Sequence, residues 1–239
     1  MKLGEAVDAV KRGLSNLSPR RVGDVGVKLK PAAVLVCLFE RDAENGARLA
    51  FVERSRGSKD HRGEVAFPGG RFEPGTDEDL ESTALREAEE EIGLPADQVE
   101  VLGLLGEIWT VTGYLATPVV GVAWDPPQFV AQAEEVRAIH EIPLSHLLDP
   151  RNFQESVAKW AGGSGRTKFP MFFFFWRRVV IFGATAYVLF DFLREFFGFA
   201  PPLKRDVASL EAVRSEPNVI REAIGRFEKA RLSARERRS

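Results

Sequence analysis

Apolar residues recur along the chain with two different periods, and each period predicts one kind of element. Residues 2–17 place an apolar side chain at every third or fourth position, which predicts an amphipathic helix. The apolar runs AAVLVCLFE (32–40) and RLAFVER (48–54) lie on either side of the dipeptide Asn45-Gly46, which favours a tight turn. These two runs therefore predict a β-hairpin.

A second helix is predicted after the short strand GEVAF (63–67). Thr76 and Asp79 are spaced as a capping box, and Gly93 with Pro95 marks the end of the helix. The apolar positions form one stripe, so we expect the helix to dock on the sheet through it. The stripe consists of Ala84, Leu85, Ala88 and Ile92.

The C-terminal half alternates between strand and helix patterns. Residues 99–124 predict two or three strands, and residues 133–148 predict a short helix or strand that leads into another helix. Residues 168–183 predict two strands joined at a pair of arginines, and residues 184–197 predict a helix. This alternation indicates an α/β core.

The apolar stretch 169–193 imitates a membrane-spanning segment. Arg177 and Arg178 lie in its middle and Asp191 lies near its end, and charges at such depths are costly in a bilayer. We therefore expect buried strands and a helix here, with no membrane association.

Composition is that of an ordinary globular protein. The 239 residues are 44% apolar and 28% charged, which is enough for one sizeable domain. The net charge of −2 argues against a chain that binds polyanions as a whole, so no nucleic acid is expected. The single cysteine, Cys37, lies in an apolar run, which favours a core thiol in a reducing, cytoplasmic compartment.

The chain divides into three predicted parts. Residues 1–30 form an N-terminal helix and linker, residues 31–199 form the main domain, and residues 200–239 form a polar, helical C-terminal extension. The end of the extension is basic, and we interpret it as a solvated helix rather than as a surface for nucleic acid.

Negative charge is concentrated where the second helix ends, in the run REAEEEIGL that begins at Arg86. A period of 3.6 residues puts Glu87, Glu90 and Glu91 on one face and Glu89 on the other side. Arg86 is placed to pair with Glu90 at i+4, but one arginine does not neutralise three carboxylates at the negative end of a helix dipole. Carboxylate oxygens grouped in this way suit Mg²⁺ or Mn²⁺, although a solvated acidic helix end has the same spacing.

The surrounding pattern resembles the Nudix box. Gly70 is followed after seven residues by Glu78, and after seven more by REAEEEIGL, whereas the box has five residues in the first gap. The resemblance implies the α/β/α sandwich of Nudix hydrolases, with a mixed β-sheet between helices, to which N- and C-terminal helical extensions are added here. It also implies an enzyme in which water attacks a phosphorus atom of a diphosphate.

The resemblance further assigns roles to individual residues. The implied metal ligands are Glu87, Glu90, Glu91 and Gly70. Gly69 is an alternative to Gly70 as the source of a backbone carbonyl, because glycine permits a close approach. The candidate catalytic residues are Arg86, Glu90, Glu91 and Glu135. The general base stays open between Glu90 and Glu135.

The segment before the box resembles coenzyme A pyrophosphatases, and the likeness extends over about residues 31–199. Glu53 and Ser58 depart from the family pattern. The matching positions are Arg54, Ser55, His61, Gly63, Glu64, Phe67, Pro68, Gly69 and Gly70. Nearby basic side chains are candidates to hold the substrate phosphates, with a solvated basic loop as the alternative. These side chains are Arg54, Arg56, Lys59, Arg62 and Arg71.

The resemblance leads us to expect a metal-dependent hydrolase that splits coenzyme A or an acyl-CoA into 3′,5′-ADP and (acyl-)4′-phosphopantetheine. A Nudix enzyme for ADP-ribose, dinucleoside polyphosphates or nucleotide sugars is one alternative. A non-catalytic Nudix-like nucleotide-binding module is another, but such modules usually lack box carboxylates that this chain has. The subfamily resemblance also favours a homodimer.

Overall fold

The structure is a computed structural model that describes most of the chain. The described residues are 1–42, 44, 46–55, 63–162, 165–203, 220 and 224, and the side chains of 157–162 and 165–169 are not among what it describes. The α-helices whose bounds are described are α1 (Leu3–Leu14), α2 (Leu80–Ile92), α3 (Leu144–Leu147) and α4 (Gly183–Phe197). The strands are β1 (Lys30–Phe39), β2 (Arg48–Arg54), β3 (Val65–Ala66), β4 (Gly69–Arg71), β5 (Glu100–Leu104), β6 (Ile108–Trp109), β7 (Tyr114–Ala123), β8 (Val136–Pro143), β9 (Phe153–Gly162), β10 (Gly165–Trp176) and β11 (Val179–Ile181).

The main sheet is mixed, as the α/β expectation requires. Its order is β3-β2-β1-β7-β5, with β4 added to β1, β6 to β7 and β8 to β2. The central strands β1 and β7 run parallel from the pair Lys30–Tyr114 to the pair Phe39–Ala123, and the other pairings are antiparallel. The predicted hairpin of β1 and β2 is confirmed.

Helices cover both faces of this sheet, because alternate residues of β1 enter two different hydrophobic clusters. Leu35 and Cys37 join the cluster under α2, whereas Val36 and Leu38 join the cluster under α1 and α4. Side chains of a strand alternate between the two faces of a sheet, so the predicted arrangement of a mixed sheet between helices is confirmed. The N-terminal helix belongs to this core, since its apolar stripe is buried. That stripe is Leu3, Ala6, Val7 and Val10.

The phenylalanine-rich stretch forms strands and a helix, as predicted. Phe172 and Phe174 of β10 point inward and are 1% exposed, and α4 packs on the same side. Among the described residues no helix is long and apolar enough to cross a membrane. The pattern did not predict β9, because apolar and polar residues do not alternate in this segment. It is a strand through its antiparallel pairing with β10.

The predicted start of α2 was wrong. The N-terminal cap is Asp79, whose carboxylate accepts a hydrogen bond from the Ser82 backbone N–H at 2.8 Å. The Asp79 N–H in turn donates to the Ser82 hydroxyl oxygen at 2.9 Å. Thr76 lies in the preceding turn, where its N–H donates to the Glu73 carbonyl. The predicted end is confirmed, since Gly93 closes the helix in the left-handed conformation with φ 68°.

Candidate active site

The apolar stripe of α2 fixes where its carboxylates lie. Ala84, Ala88 and Ile92 are fully buried against the sheet, which turns Glu87 and Glu91 toward the β4 backbone. Glu91 is 2% exposed, and its carboxylate accepts a hydrogen bond of 3.0 Å from the Gly69 N–H. The predicted docking face of this helix is therefore confirmed, and two of its three clustered glutamates reach a strand edge.

Gly69 and Gly70 allow this close approach. A Cβ on Gly70 would lie 2.2 Å from Oε1 of Glu87, so the strand backbone and the carboxylate touch only because position 70 has no side chain. A Cβ on Gly69 would lie 2.3 Å from the Ala33 carbonyl oxygen, and this residue has φ 154°. Both glycines are thus required by geometry, for different reasons.

Gly70→Ala is expected to lower Mn²⁺ affinity and turnover by about 10-fold or more, because the new methyl group displaces the Glu87 carboxylate. The fold should tolerate the change, since the end of a flexible side chain gives way. Gly69→Ala is the control with the opposite profile. It forces a clash with the backbone of Ala33 and Val34, so we expect it to lower the free energy of unfolding by about 1–3 kcal/mol.

Calorimetric titration with Mn²⁺ and urea denaturation measure the two effects separately. Equal Mn²⁺ affinities for wild type and Gly70→Ala would contradict the placement of Glu87 at this site.

Burial and mutual repulsion raise the pKa values of the two inner carboxylates. The pKa of Glu91 is raised to about 7, mainly by burial, and the negative charges of Glu87 and Glu135 add to the rise. Arg54 and the Gly69 N–H act in the opposite direction on Glu91. Burial likewise raises the pKa of Glu87, against the lowering effect of the neighbouring arginine of α2.

Arg86 holds three carboxylates at once. Its Nη1 is 3.0 Å from Oε2 of Glu90, which confirms the predicted i+4 pair, and its Nη2 is 3.0 Å from Oε1 of Glu87. Its Nε donates to Oδ1 of Asp77 at 2.7 Å, a contact that the sequence did not predict. These bonds raise the pKa of Arg86, above all the one to Asp77. The guanidinium therefore orders the acidic end of the helix.

Asp77 is the acidic residue that sequence reasoning missed. Its side chain is 1% exposed, and it also accepts hydrogen bonds from the Glu73 N–H and the Thr83 hydroxyl. The hydrogen bond from Arg86 is the main reason that the pKa of Asp77 is lowered to about 2. Glu78, which the box pattern singled out, is exposed. No sequence signal separates these two acids, because both lie in the irregular turn before α2 and only packing buries Asp77.

The β7–β8 loop, residues 124–135, brings a fourth carboxylate to the site. A cavity of about 260 Å³ is lined by Glu90, Glu91, Gln132 and Glu135. The Gln132 N–H donates to the Glu91 carbonyl at 3.1 Å, and the Ser55 N–H donates to the Glu135 carbonyl at 2.8 Å. The structure thus brings Glu135, a sequence candidate for the base, beside the helix end. Gln132 was not predicted.

The predicted phosphate-binding side chains have different positions. Nη2 of Arg54 is 3.2 Å from the Gly69 carbonyl oxygen and 3.6 Å from Oε1 of Glu91, so this residue lies within the acidic site. Arg71 is exposed and 3.8 Å from Glu73. The remaining three candidates lie outside the described residues. They are Arg56, Lys59 and Arg62.

The donor set fits a hard divalent cation. The carboxylates of Glu87, Glu90 and Glu91 offer oxygen ligands. Burial is the main cause that raises the pKa values of Glu87 and Glu91, and a cation beside them would favour their ionised forms. In the described part of the chain, no three acidic, histidine or cysteine side chains already stand as ligands around one point. Arg86 and Arg54 contact the carboxylates instead, so a cation would compete with these arginines.

Comparison with known proteins points to one family. A model of the NUDIX domain matches residues 29–160. "Uncharacterized Nudix hydrolase NudL" of Enterobacter sp. (strain 638) is 40% identical over 132 residues, which are 55% of this chain and 66% of that protein. The protein of the same name from Escherichia fergusonii is 41% identical over 119 residues, which are 50% of this chain and 60% of that protein. The chain thus spans somewhat less than two thirds of the length of these relatives.

Solved structures show partial likeness. The NUDIX domain of Shewanella oneidensis NrtR, complexed with ADP ribose, is 21% identical with a TM-score of 0.40, and the match covers 57% of this chain and 84% of that one. The M. smegmatis Nudix hydrolase RenU is 25% identical with a TM-score of 0.41, and the match covers 50% of this chain and 74% of that one. Similarity at this level says nothing about the substrate of this chain.

Proposed function

This chain belongs to the NUDIX domain family, and on that premise we propose that it is a metal-dependent hydrolase of coenzyme A or its thioesters. Nudix hydrolases act on phosphoric anhydrides and generally need divalent metal ions. One observation supports an active enzyme above the others. Glu90 and Glu91 of α2 line one cavity with Glu135 of the β7–β8 loop, and Glu87 lies against the Gly70 backbone, which has no side chain to displace it.

The residues that would hold Mg²⁺ or Mn²⁺ are Glu87, Glu90 and Glu91, with a backbone carbonyl of Gly70 or of Gly69. The Gly69 carbonyl already lies 3.2 Å from Nη2 of Arg54 in this site. Such a cation, when bound, polarises phosphoryl oxygens and lowers the pKa of a bound water. The chain itself supplies orientation, because Arg86 holds Glu87 and Glu90. Arg54 supplies positive charge near the buried Glu91, where it can meet phosphate oxygens.

Glu135 is the general base that this arrangement favours over Glu90. Glu135 is exposed at the cavity and lies in the β7–β8 loop. It is therefore separate from the proposed metal ligands, which all lie on α2 or on β4. In the proposed reaction the oxygen of a water bonds to phosphorus, the bridging P–O bond of the anhydride breaks, and Glu135 accepts the proton of the water. Arg86 acts as a positioning residue for the acidic helix end.

The choice of coenzyme A rests on the resemblance of the segment around Arg54, Ser55 and Phe67–Gly70 to coenzyme A pyrophosphatases. A cavity of about 260 Å³ accommodates a diphosphate and not a whole dinucleotide-sized ligand. The adenosine and pantetheine ends of coenzyme A would therefore extend beyond it. ADP-ribose fits the same cavity through its own diphosphate and stays the second candidate.

Product analysis distinguishes these substrates. We expect the purified chain with Mg²⁺ or Mn²⁺ to convert coenzyme A into 3′,5′-ADP and 4′-phosphopantetheine, as detected by liquid chromatography with mass spectrometry. ADP-ribose, a dinucleoside polyphosphate and a nucleotide sugar serve as the comparison panel. Cleavage of ADP-ribose with coenzyme A left intact would overturn the substrate and keep the hydrolase. Binding of these compounds without turnover would favour the non-catalytic module.

Three further proposals concern the molecule as a whole. Residues 31–199 are the proposed hydrolase domain, with α1 packed on it and residues 200–239 as an extension. The proposed assembly is a homodimer, which light scattering after size-exclusion chromatography checks.

A cytoplasmic location is proposed from the single cysteine, Cys37. This thiol is buried, and burial raises its pKa to about 12, so it serves as a core residue and not as a nucleophile.

A further inference from the structure

Gln132 differs from the other described residues that line the cavity, because it carries no charge. Glu90, Glu91 and Glu135 are carboxylates, and each presents only hydrogen-bond acceptors when ionised. The phosphate oxygens of a substrate are acceptors as well. A hydrogen-bond donor at the cavity wall is therefore the chemical group that these three residues cannot provide.

The orientation of the Gln132 amide follows from its own hydrogen bond. The Glu135 backbone N–H, which can only donate, lies 2.9 Å from the Gln132 side-chain oxygen. The atom that faces this N–H must be the oxygen, so the NH₂ group points away from the turn. Within the described part of the chain, no acceptor takes a hydrogen bond from this NH₂ group.

The Gln132 backbone is held at the same time. Its N–H donates to the Glu91 carbonyl at 3.1 Å, and its carbonyl accepts from the Val136 N–H at 2.8 Å and the Glu135 N–H at 3.1 Å. The Val130 N–H also donates a hydrogen bond to the Ile92 carbonyl at the end of α2. A side chain fixed at both its backbone and its carbonyl oxygen offers its donor with little loss of conformational entropy.

We propose that Gln132 binds the substrate directly, by donating a hydrogen bond from its side-chain NH₂ group to a phosphate oxygen of the diphosphate. This inference rests on the proposed function. A neutral donor suits the position, since a lysine or arginine here would pair with the adjacent carboxylates. Arg54 already pairs with Glu91 and Arg86 with Glu90.

Two variants separate this role from the role of Gln132 in the turn. Q132E keeps an oxygen that accepts from the Glu135 N–H and replaces the NH₂ group with a second carboxylate oxygen. Q132M has a similar size and loses both groups. E134Q is the matched control, because Glu134 is an exposed residue of the same turn and does not line the cavity.

The test measures binding of inorganic pyrophosphate to the full chain by calorimetry, in the presence of Mg²⁺. We expect Q132E and Q132M each to weaken binding by about 10-fold or more, and E134Q to bind as wild type does. Wild-type affinity in Q132E, or in Q132M, would overturn the inference, because the NH₂ group would then be dispensable. Failure of wild type to bind pyrophosphate would overturn the proposed function and the inference together. Wild-type affinity in a Gln132 variant would overturn the inference alone, so the two failures give different results.

Discussion

Glu90→Gln is expected to lower kcat for the preferred diphosphate by about 100-fold or more, with the fold unchanged. The substitution removes one anionic oxygen from the acidic site and keeps the shape of the side chain. Glu90 is 59% exposed at the side chain, and its hydrogen bond to Arg86 is an i+4 contact at the helix surface. Such exposed pairs contribute about 0.3–0.5 kcal/mol, so the loss of activity should far exceed the loss of stability.

Glu89→Gln is the matched control for this experiment. It makes the same substitution one position earlier, at an exposed residue on the other side of the same helix turn. Steady-state kinetics of both variants with Mn²⁺, together with thermal denaturation, give the comparison. Equal activity of the two variants would contradict the assignment of Glu90 to the site.

Titration with Mn²⁺ further decides which role Glu90 has. A ligand contributes to metal affinity, so Glu90→Gln should bind Mn²⁺ more weakly than wild type. A general base contributes to proton transfer alone, so its loss would leave the Mn²⁺ affinity intact. The expected result is weaker Mn²⁺ binding for Glu90→Gln and unchanged binding for the corresponding substitution of Glu135.

The acidic face of α2 was predictable because it depends on one local rule. A helix period of 3.6 residues places Glu87, Glu90 and Glu91 together and Arg86 beside Glu90, whatever the rest of the chain does. The same period gave the buried stripe of α2 and the buried stripe of α1. Local chemistry also gave the helix end at Gly93.

Features that depend on contacts between distant segments were not predictable in this way. Gln132 comes to the cavity only because the β7–β8 loop donates hydrogen bonds to the last carbonyls of α2. Strand β9 has no apolar alternation of its own and is defined by its partner β10. The turn before α2 has no period at all, so Asp77 and Glu78 are equivalent in sequence and only packing decides that Asp77 is the buried acid.

Asp77→Asn is therefore expected to destabilise the fold more than Glu90→Gln or Glu89→Gln does. Asp77 is buried, and the substitution removes its negative charge. Arg86, which is 20% exposed, then loses the ion pair that it makes at the shortest distance, 2.7 Å. Breaking such a pair should lower the free energy of unfolding by about 2 kcal/mol at pH 7. Glu78→Gln, at the exposed neighbouring position, should change it by less than about 0.5 kcal/mol.

The effect of Asp77→Asn should also depend on pH with a defined sign. The pKa of Asp77 is about 2 in the folded chain, below the value of about 3.9 for an unfolded chain. The stabilisation is therefore complete above about pH 5 and is lost as the pH falls toward the folded pKa, with about half remaining at pH 3. Urea denaturation of wild type and variant at pH 7, 4 and 3 gives this difference directly. A difference in unfolding free energy that stays constant over this range, or a larger loss in Glu78→Gln than in Asp77→Asn, would show that the ion pair of Arg86 is not with Asp77.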